Sequence, residues 1–166
     1  MLSSIPWPRS TRYSVDAPMN HDLQSLYRDT ILKHSRDPIN RKPLPAANAT
    51  AELKNPLCGD LVSIHLTIEN DVVIQAAFEA QCCSICMASA SMLTRKIEGL
   101  PLAKTHAFAG SLVDMIADSE ASLSLPDDED LNALSGVKDF PSRIRCATLP
   151  WETLLAALEG RVKNEE

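Results

Sequence analysis

Two stretches of alternating apolar and polar residues, separated by a short turn sequence, place the tightest constraint on the fold. In residues 62–69 and again in residues 72–80, apolar side chains recur at every second position. This period is typical of a β-strand with one buried face, and Asn70-Asp71 between the stretches favours a tight turn. The sequence therefore predicts an antiparallel hairpin, to which residues 49–54 could add a third, edge strand.

Apolar residues at helical spacing flank this hairpin on both sides. The predicted helices cover residues 22–37, 84–98 and 102–117, a short helix whose solvated first turn is the acidic run 127–130, and a last helix with Pro150 in its first turn. One domain is expected, because 166 residues can bury a single hydrophobic core but are few for two. The order of elements predicts an α+β sandwich, a small antiparallel three-stranded sheet packed with several helices.

Composition and charge exclude several classes of function. The formal charge of −6 disfavours nucleic-acid binding, which needs a surplus of Lys and Arg. No stretch approaches the roughly 20 apolar residues of a membrane span, and no run is typical of a secretion signal. Five cysteines then predict metal binding, catalysis or inert burial in the reducing cytoplasm. Residues 1–20 lack periodicity and predict a disordered tail or a start site assigned too early, followed by one domain over residues 21–162.

Three cysteines fall at junctions between the predicted elements. Cys58 precedes the first long strand, Cys83 follows the second and opens a helix, and Cys146 precedes the last helix. Antiparallel pairing brings Cys58 and Cys83 to the same end of the sheet, and Cys146 can join them if the last helix starts there. Gly59 lets the chain turn so that the Asp60 carboxylate faces the same point. Three thiolates and one carboxylate would suit tetrahedral zinc, and soft donors of this kind also suit iron–sulfur clusters.

The same residues have plain structural interpretations. A free cysteine is more often a small buried hydrophobic residue than a ligand, and Asp60 could simply cap a turn. Reactivity favours the functional interpretation, since a helix N-terminus is expected to lower the pKa of the Cys83 thiol. Arg143 and Arg145 are expected to act in the same way on Cys146. From the residues alone, the two interpretations are about evenly balanced.

Several ordered motifs resemble those of the U-type iron–sulfur cluster assembly proteins, which are related to the N-terminal domain of NifU. They are Leu26-Tyr27 with His34, Asp37-Pro38-Ile39-Asn40, Asn55-Pro56-Leu57-Cys58-Gly59-Asp60, Cys83-Ser84-Ile85 with Met87-Ala88-Ser89-Ala90-Ser91, and Arg143-Ile144-Arg145-Cys146-Ala147-Thr148-Leu149. The chain is more similar to the SufU branch than to IscU-like scaffolds, because Arg145 stands where those scaffolds carry a His. The long interval from Cys83 to Cys146 also fits the extra segment of SufU-like proteins, expected here around residues 110–138.

The resemblance implies a SufE/NifU-like sandwich and a zinc site formed by Cys58, Asp60, Cys83 and Cys146. It implies that Cys146 is the catalytic residue, the thiol that accepts persulfide sulfur from a SufS-like cysteine desulfurase and hands it to a downstream iron–sulfur scaffold. The alternative is that this protein is itself a scaffold on which a [2Fe–2S] cluster, or iron, is bound and then transferred. A structural zinc module that only binds partners is a third possibility. Whether the protein is an enzyme, a zinc-dependent sulfurtransferase, stays open.

Two cysteines depart from the family pattern. The family usually has Gly-Cys-Ser-Ile-Ser, whereas this chain has Cys82 in place of the glycine and Cys86 in place of the second serine. Cys83 is expected to remain the ligand, with Cys82 and Cys86 as additional nearby thiols. Cys86 also forms a Cys-x-x-Cys sequence with Cys83, so an alternative ligand or a redox pair is open as well.

Overall fold

A computed structural model describes residues 16–118 and 128–165, with side chains over residues 24–118 and 128–160. Its elements are α1 (Asp16–Arg36), β1 (Ala49–Asn55), β2 (Asp60–Glu69), β3 (Val72–Gln81), α2 (Ser84–Ile97), α3 (Leu102–Ala117), α4 (Glu129–Leu134), two short 3₁₀ turns (Ser135–Asp139 and Pro141–Arg143) and α5 (Ile144–Glu165). Within these ranges, no helix is both long and apolar enough to cross a membrane.

The three strands form one antiparallel sheet in the order β1-β2-β3. Asn70 and Asp71 both have positive φ, 53° and 61°, as a type I′ hairpin turn requires. The predicted hairpin is therefore confirmed. Residues 49–54 do form the third, edge strand, and the pairing of β1 with β2 ends with Asn55 opposite Asp60.

One face of the sheet carries the core. Val62, Ile64 and Leu66 alternate along β2 and are completely buried, as the period of two predicts. The helices α2 and α5 pack on this sheet and on each other. Their contact includes a hydrogen bond at 3.1 Å from the indole N–H of Trp151 to the Ser89 hydroxyl. The predicted α+β sandwich is confirmed.

The first helix begins earlier than the sequence predicts. It starts at Asp16 rather than Asp22, so residues 16–20 are helical and not part of an irregular tail. The remainder of the predicted tail, residues 1–15, lies outside the described residues. The proline at position 18 is compatible with this start because the first helical turn needs no N–H donor there.

The last helix also begins earlier than expected, at Ile144. Pro150 therefore lies inside α5, and Cys146 lies in its first turn rather than before it. A proline here cannot donate to the carbonyl of Cys146 four residues earlier, at a cost of about 3 kcal/mol. Burial of Leu149 and Trp151 on the core, at about 1.5–3 kcal/mol for a large apolar side chain, offsets that loss.

The acidic run 127–130 opens a short helix, as predicted, but its first turn is not simply solvated; Asp127 itself lies outside the described residues. Asp128 is 7% exposed, caps α4 and accepts a hydrogen bond from Arg95 at 2.9 Å. Asp130 lies 2.7 Å from the ring Nε2 of His34, which is buried at the end of α1. Cations on α1 and α2 thus hold these carboxylates against the core.

Candidate metal centre

The turn between β1 and β2 carries two of the predicted ligands. Gly59 has a φ of +76°, and its N–H donates to the Asn55 carbonyl at 2.8 Å. Glycine adopts this left-handed conformation without steric cost, which explains a glycine between Cys58 and Asp60. The turn leaves Cys58 exposed, whereas Asp60, the first residue of β2, is 5% exposed.

Asp60 joins this turn to the junction between β3 and α2. Leu61 pairs with Gln81, so the start of β2 lies beside the end of β3. The backbone N–H of Cys83, the N-cap of α2, donates to Asp60 Oδ1 at 3.2 Å. Asp60 Oδ2 is buried and has no hydrogen-bond partner in the described part of the chain. Because an unpartnered buried oxygen is costly, this atom is a suitable ligand for a cation.

Cys146 completes a compact group of ligand atoms. Cys58, Asp60 and Cys146 each contribute one ligand atom, and these three atoms all lie within 4.8 Å of one another. Cys146 itself is 2% exposed. Cys83 is near enough to act electrostatically on Cys146, but its sulfur does not belong to this compact group. The structure therefore brings three of the four predicted ligands together and places Cys83 beside them. A site with all four ligands stays a prediction.

The donor atoms fit a soft divalent cation such as zinc. Ligands at Zn–S distances near 2.3 Å around a tetrahedral ion stand about 3.8 Å apart. A group whose atoms are within 4.8 Å therefore needs only small side-chain movements to reach that geometry. The buried and unpartnered Asp60 Oδ2 is the independent observation that favours a cation over simple packing.

Electrostatics around Cys146 differ from the prediction. Burial, and after it the neighbouring thiols and carboxylate, raise the pKa of Cys146 to about 12. The expectation that Arg143 and Arg145 lower this pKa is wrong. Arg145 instead lies 3.5 Å from the Glu152 carboxylate, about two turns further along the same helix. A bound divalent cation would act in the opposite direction, because it stabilises coordinated thiolates.

The two additional cysteines lie next to this site, at the start of α2. Cys86 is completely buried in the first turn of α2, and Cys82 is half-buried immediately before the N-cap. A hydrogen bond with Cys82, burial, and the nearby Asp60 and Cys83 raise the pKa of the Cys86 thiol. Both Cys82 and Cys83 thus act on the Cys86 thiol, and a redox pair with Cys83 stays a prediction.

Tyr27 lies at the site without having been predicted there. Its ring stacks on Phe140 with centroids 6.0 Å apart, and its hydroxyl is buried with no partner among the residues described. Burial and the charge of Cys83 raise the pKa of Tyr27 to about 12, against the opposing charge of Arg143. In the sequence, Tyr27 stood out only through the motif Leu26-Tyr27, and that motif does not say which residues the side chain contacts in the fold.

A small antiparallel sheet gathers thiols and a carboxylate at one end and carries its helices on one face. This arrangement defines an α+β domain with a cysteine-rich candidate metal centre. This chain belongs to the NifU-like N-terminal domain family, which matches residues 26–147. The resemblance to U-type proteins that the motifs indicate is confirmed.

Individual relatives agree with this assignment. The chain is 39% identical over 147 residues to a protein of Bacillus subtilis named zinc-dependent sulfurtransferase SufU, covering 89% of this chain and 96% of that protein. It is 32% identical to an iron–sulfur cluster assembly scaffold protein IscU of Streptococcus pyogenes, covering 82% and 85%.

Solved structures show the same fold. A SUF-system scaffold protein from Fervidobacterium islandicum is 25% identical with a TM-score of 0.67, over 81% of this chain and 98% of that one. A NifU-like N-terminal domain from Brucella abortus, 20% identical, has a TM-score of 0.74 over 87% and 99%.

Proposed function

We propose that this protein is a zinc-dependent sulfur acceptor of SUF-type iron–sulfur cluster assembly. It takes persulfide sulfur from a cysteine desulfurase onto Cys146 and passes it to a downstream iron–sulfur scaffold. The compact group of Cys58, Asp60 and Cys146 carries the proposal, together with the unpartnered Oδ2 of Asp60. The likeness to a Bacillus subtilis protein named zinc-dependent sulfurtransferase supports it.

Cys58, Asp60, Cys83 and Cys146 would hold the zinc. The ion would keep the thiols deprotonated and fix their positions. Asp60 keeps the turn and the start of α2 together through its bond to the Cys83 N–H, independently of any ion. A carboxylate is a harder donor than a thiolate, so Asp60 is the ligand most readily exchanged.

Sulfur transfer then uses the Cys146 thiolate as a nucleophile. It attacks the outer sulfur of the desulfurase persulfide, a new S–S bond forms on Cys146, and the cysteine of the partner leaves as a thiolate. Because Cys146 is 2% exposed, the partner has to open the site first. The turn that carries Cys58 is the adjoining exposed surface, and Leu57 on it is 91% exposed.

A second candidate function is a scaffold for a [2Fe–2S] cluster. The likeness to a Streptococcus pyogenes protein named as an IscU scaffold favours it, and the soft donors of the site would also accept iron. Metal analysis of protein purified without oxygen separates the two functions. One tightly held zinc and no visible absorption is expected, whereas stoichiometric iron and sulfide would favour the scaffold.

The transfer step is tested by Cys146→Ala in a desulfurase assay with cysteine as substrate. We expect the variant to lose the stimulation that the native protein gives and to carry no added sulfur by mass spectrometry. Ser63→Ala is a matched control, because Ser63 lies on the exposed side of β2 and contacts Glu52 there. Unchanged stimulation by Cys146→Ala with zinc retained would leave only a structural zinc module.

We also propose the cytoplasm as the place of action. All five cysteines are free thiols, and the proposed chemistry needs them reduced.

A further inference from the structure

An apolar groove beside the proposed metal centre is used by none of the steps above. It lies between α1, the first turn of α2 and the residue that joins the two 3₁₀ turns. Its volume of about 510 Å³ falls in the range of about 300–1,000 Å³ that binding clefts occupy. The apolar side chains that line it are Tyr27, Ile31, Leu32, Ile85 and Phe140.

Two of the lining side chains are exposed although they are large and apolar. Leu32 is 38% exposed and Phe140 is 45% exposed. The other exposed large apolar side chains among the described residues are Leu57 and Ile74, and neither of them lines the groove. Single exposed apolar side chains are ordinary, whereas several around one concave surface are typical of an interaction site.

The groove adjoins the metal centre through two elements. Ser84 lines it and directly follows Cys83, the N-cap of α2. Phe140 also lines it and is followed at once by the 3₁₀ turn Pro141–Arg143, which leads into the first turn of α5 with Cys146. A protein that brings sulfur to Cys146 therefore finds this apolar surface next to its target.

The charge of the groove narrows the chemistry of its occupant. Arg28 is the one charged residue among those that line it, and no carboxylate lines it. The Arg28 side chain is exposed and has no ion-pair partner in the described part of the chain. A free guanidinium beside an apolar cleft, in a chain of formal charge −6, fits an apolar segment that carries a carboxylate.

We propose that this groove is the docking surface for the protein that donates sulfur to Cys146. The donor inserts an apolar side chain between α1 and α2, and a neighbouring carboxylate of the donor pairs with Arg28. Docking there places the donor against the two elements that position Cys83 and Cys146. This inference rests on the proposed function, since it takes the donor to be a cysteine desulfurase.

The test uses the full, zinc-loaded chain with a SufS-like cysteine desulfurase of the same organism as the probe. Titration calorimetry without cysteine measures binding, and the desulfurase assay with cysteine gives the concentration of this chain at half-maximal stimulation. We expect Leu32→Ala and Arg28→Glu each to raise the dissociation constant and this concentration by at least about fivefold. Both variants should keep their zinc and approach the native rate at saturation, because they weaken docking and leave the metal ligands in place.

The chain offers a matched control for each change. Ile74 is 42% exposed, close to the exposure of Leu32, but lies near the hairpin turn at the opposite end of β3 from the metal centre. Lys104 is an exposed cation on α3, outside the groove. Ile74→Ala and Lys104→Glu should bind like the native chain, and Arg28→Lys should keep most of the binding because it keeps the charge.

Three results would overturn the proposal. One is native binding by both Leu32→Ala and Arg28→Glu, and another is an equal loss of binding in Ile74→Ala and Lys104→Glu. The third is a native chain that forms a dimer by sedimentation and a Leu32→Ala variant that is monomeric, because the groove would then hold a second copy of this chain.

The two readouts separate this inference from the proposed function. If binding depends on Leu32 and Arg28 but mass spectrometry finds no sulfur on Cys146, the docking surface is supported and the proposed function fails. If sulfur reaches Cys146 equally in the native chain and in both groove variants below saturation, the docking surface fails and the proposed function is supported.

Discussion

At the scale of single residues, Asp60 contributes to both the backbone and the proposed zinc site. One carboxylate oxygen accepts the Cys83 N–H at 3.2 Å, and the other is buried without a partner in the described structure. Replacement by asparagine keeps an oxygen for the Cys83 N–H but places a neutral amide where a cation would sit. We expect Asp60→Asn to fold and to lose at least tenfold in zinc affinity, measured by competition with a chelator.

The same variant has a readout that does not depend on metal. In protein stripped of zinc, Asp60→Asn should unfold at nearly the same urea concentration as the native chain, because the bond to Cys83 is kept. Zinc affinity equal to the native value would remove Asp60 from the ligand set. Ser63→Ala, on the exposed side of the same strand, is expected to change neither quantity.

The sequence predicts the identity of these residues better than their electrostatics. Cys58 and Asp60 flank a glycine at a strand junction, and antiparallel pairing alone brings them near Cys83. The pKa of Cys146 could not be predicted, because it depends on side-chain directions. Arg145 is next to Cys146 in sequence yet turns to Glu152, so burial among other thiols dominates.

At the scale of elements, the 3₁₀ turn Ser135–Asp139 presses directly on α1. A Cβ built on Gly136 would lie 2.7 Å from Cγ and 2.8 Å from Cβ of Tyr27. These atoms lie at the base of the Tyr27 side chain, so a change of its rotamer does not remove the clash. We expect Gly136→Ala to lower the free energy of unfolding by about 1–3 kcal/mol through overpacking, measured by urea denaturation. Because Tyr27 lies beside the proposed zinc site, the variant should also bind zinc more weakly.

The control for this prediction is a glycine inside an α-helix, Gly110. A Cβ on Gly110, inside α3, would meet nothing within 4 Å. Gly110→Ala should therefore raise the free energy of unfolding, by up to about 1 kcal/mol, through improved helix propensity. A destabilising Gly110→Ala, or a neutral Gly136→Ala, would contradict the packing argument.

At the same scale, the spacing of apolar residues predicted whether a segment is a helix or a strand, but it did not predict the residue at which each helix begins. The hairpin and its turn were predicted because a period of two and Asn70-Asp71 point to the same pairing. The expected alternation is wrong at the start of β3, where a register shift at Thr67 and Ile68 buries Val73 and exposes Ile74. The start of α5 was predicted wrongly, because Pro150 is a good first-turn residue on local grounds. Burial of Leu149 and Trp151 in the core, where Trp151 meets Ser89 of α2 and Phe108 of α3, is a tertiary effect that carries the helix back to Ile144.

At the scale of the whole molecule, a buried polar chain ties three helices together. The His34 ring lies on α1, with Nδ1 2.8 Å from the Ser91 hydroxyl of α2 and Nε2 2.7 Å from Asp130 of α4. Ser91 also accepts the backbone N–H of Ile39 at 2.8 Å. The ionised Asp130 carboxylate can only accept, so the ring donates to it from Nε2. These positions are far apart in the sequence, and no local pattern could have predicted their contact.

The hydrogen-bonded groups around His34 make the free energy of unfolding depend on pH through Asp130. Burial alone would raise the pKa of Asp130, but the hydrogen bond and charge of His34, with Lys33 and Arg95, hold it below its usual value. A carboxyl whose folded pKa lies below its unfolded pKa stabilises the fold above the unfolded value, near pH 4. That stabilisation is lost as the pH falls through the folded pKa.

We expect Asp130→Asn to lower the free energy of unfolding at pH 7 by about 1–2 kcal/mol, because a charged acceptor for a buried ring is replaced by a neutral one. The difference from the native chain should shrink as urea denaturation is repeated at lower pH, since the native carboxyl becomes protonated while the amide does not titrate. Asp29→Asn is the control, because Asp29 is exposed on α1, the helix that carries His34, and this variant should stay close to the native curve at every pH. A constant difference from pH 7 to pH 3 would mean that Asp130 acts by shape alone, and the electrostatic link between α1 and α4 would then have to be abandoned.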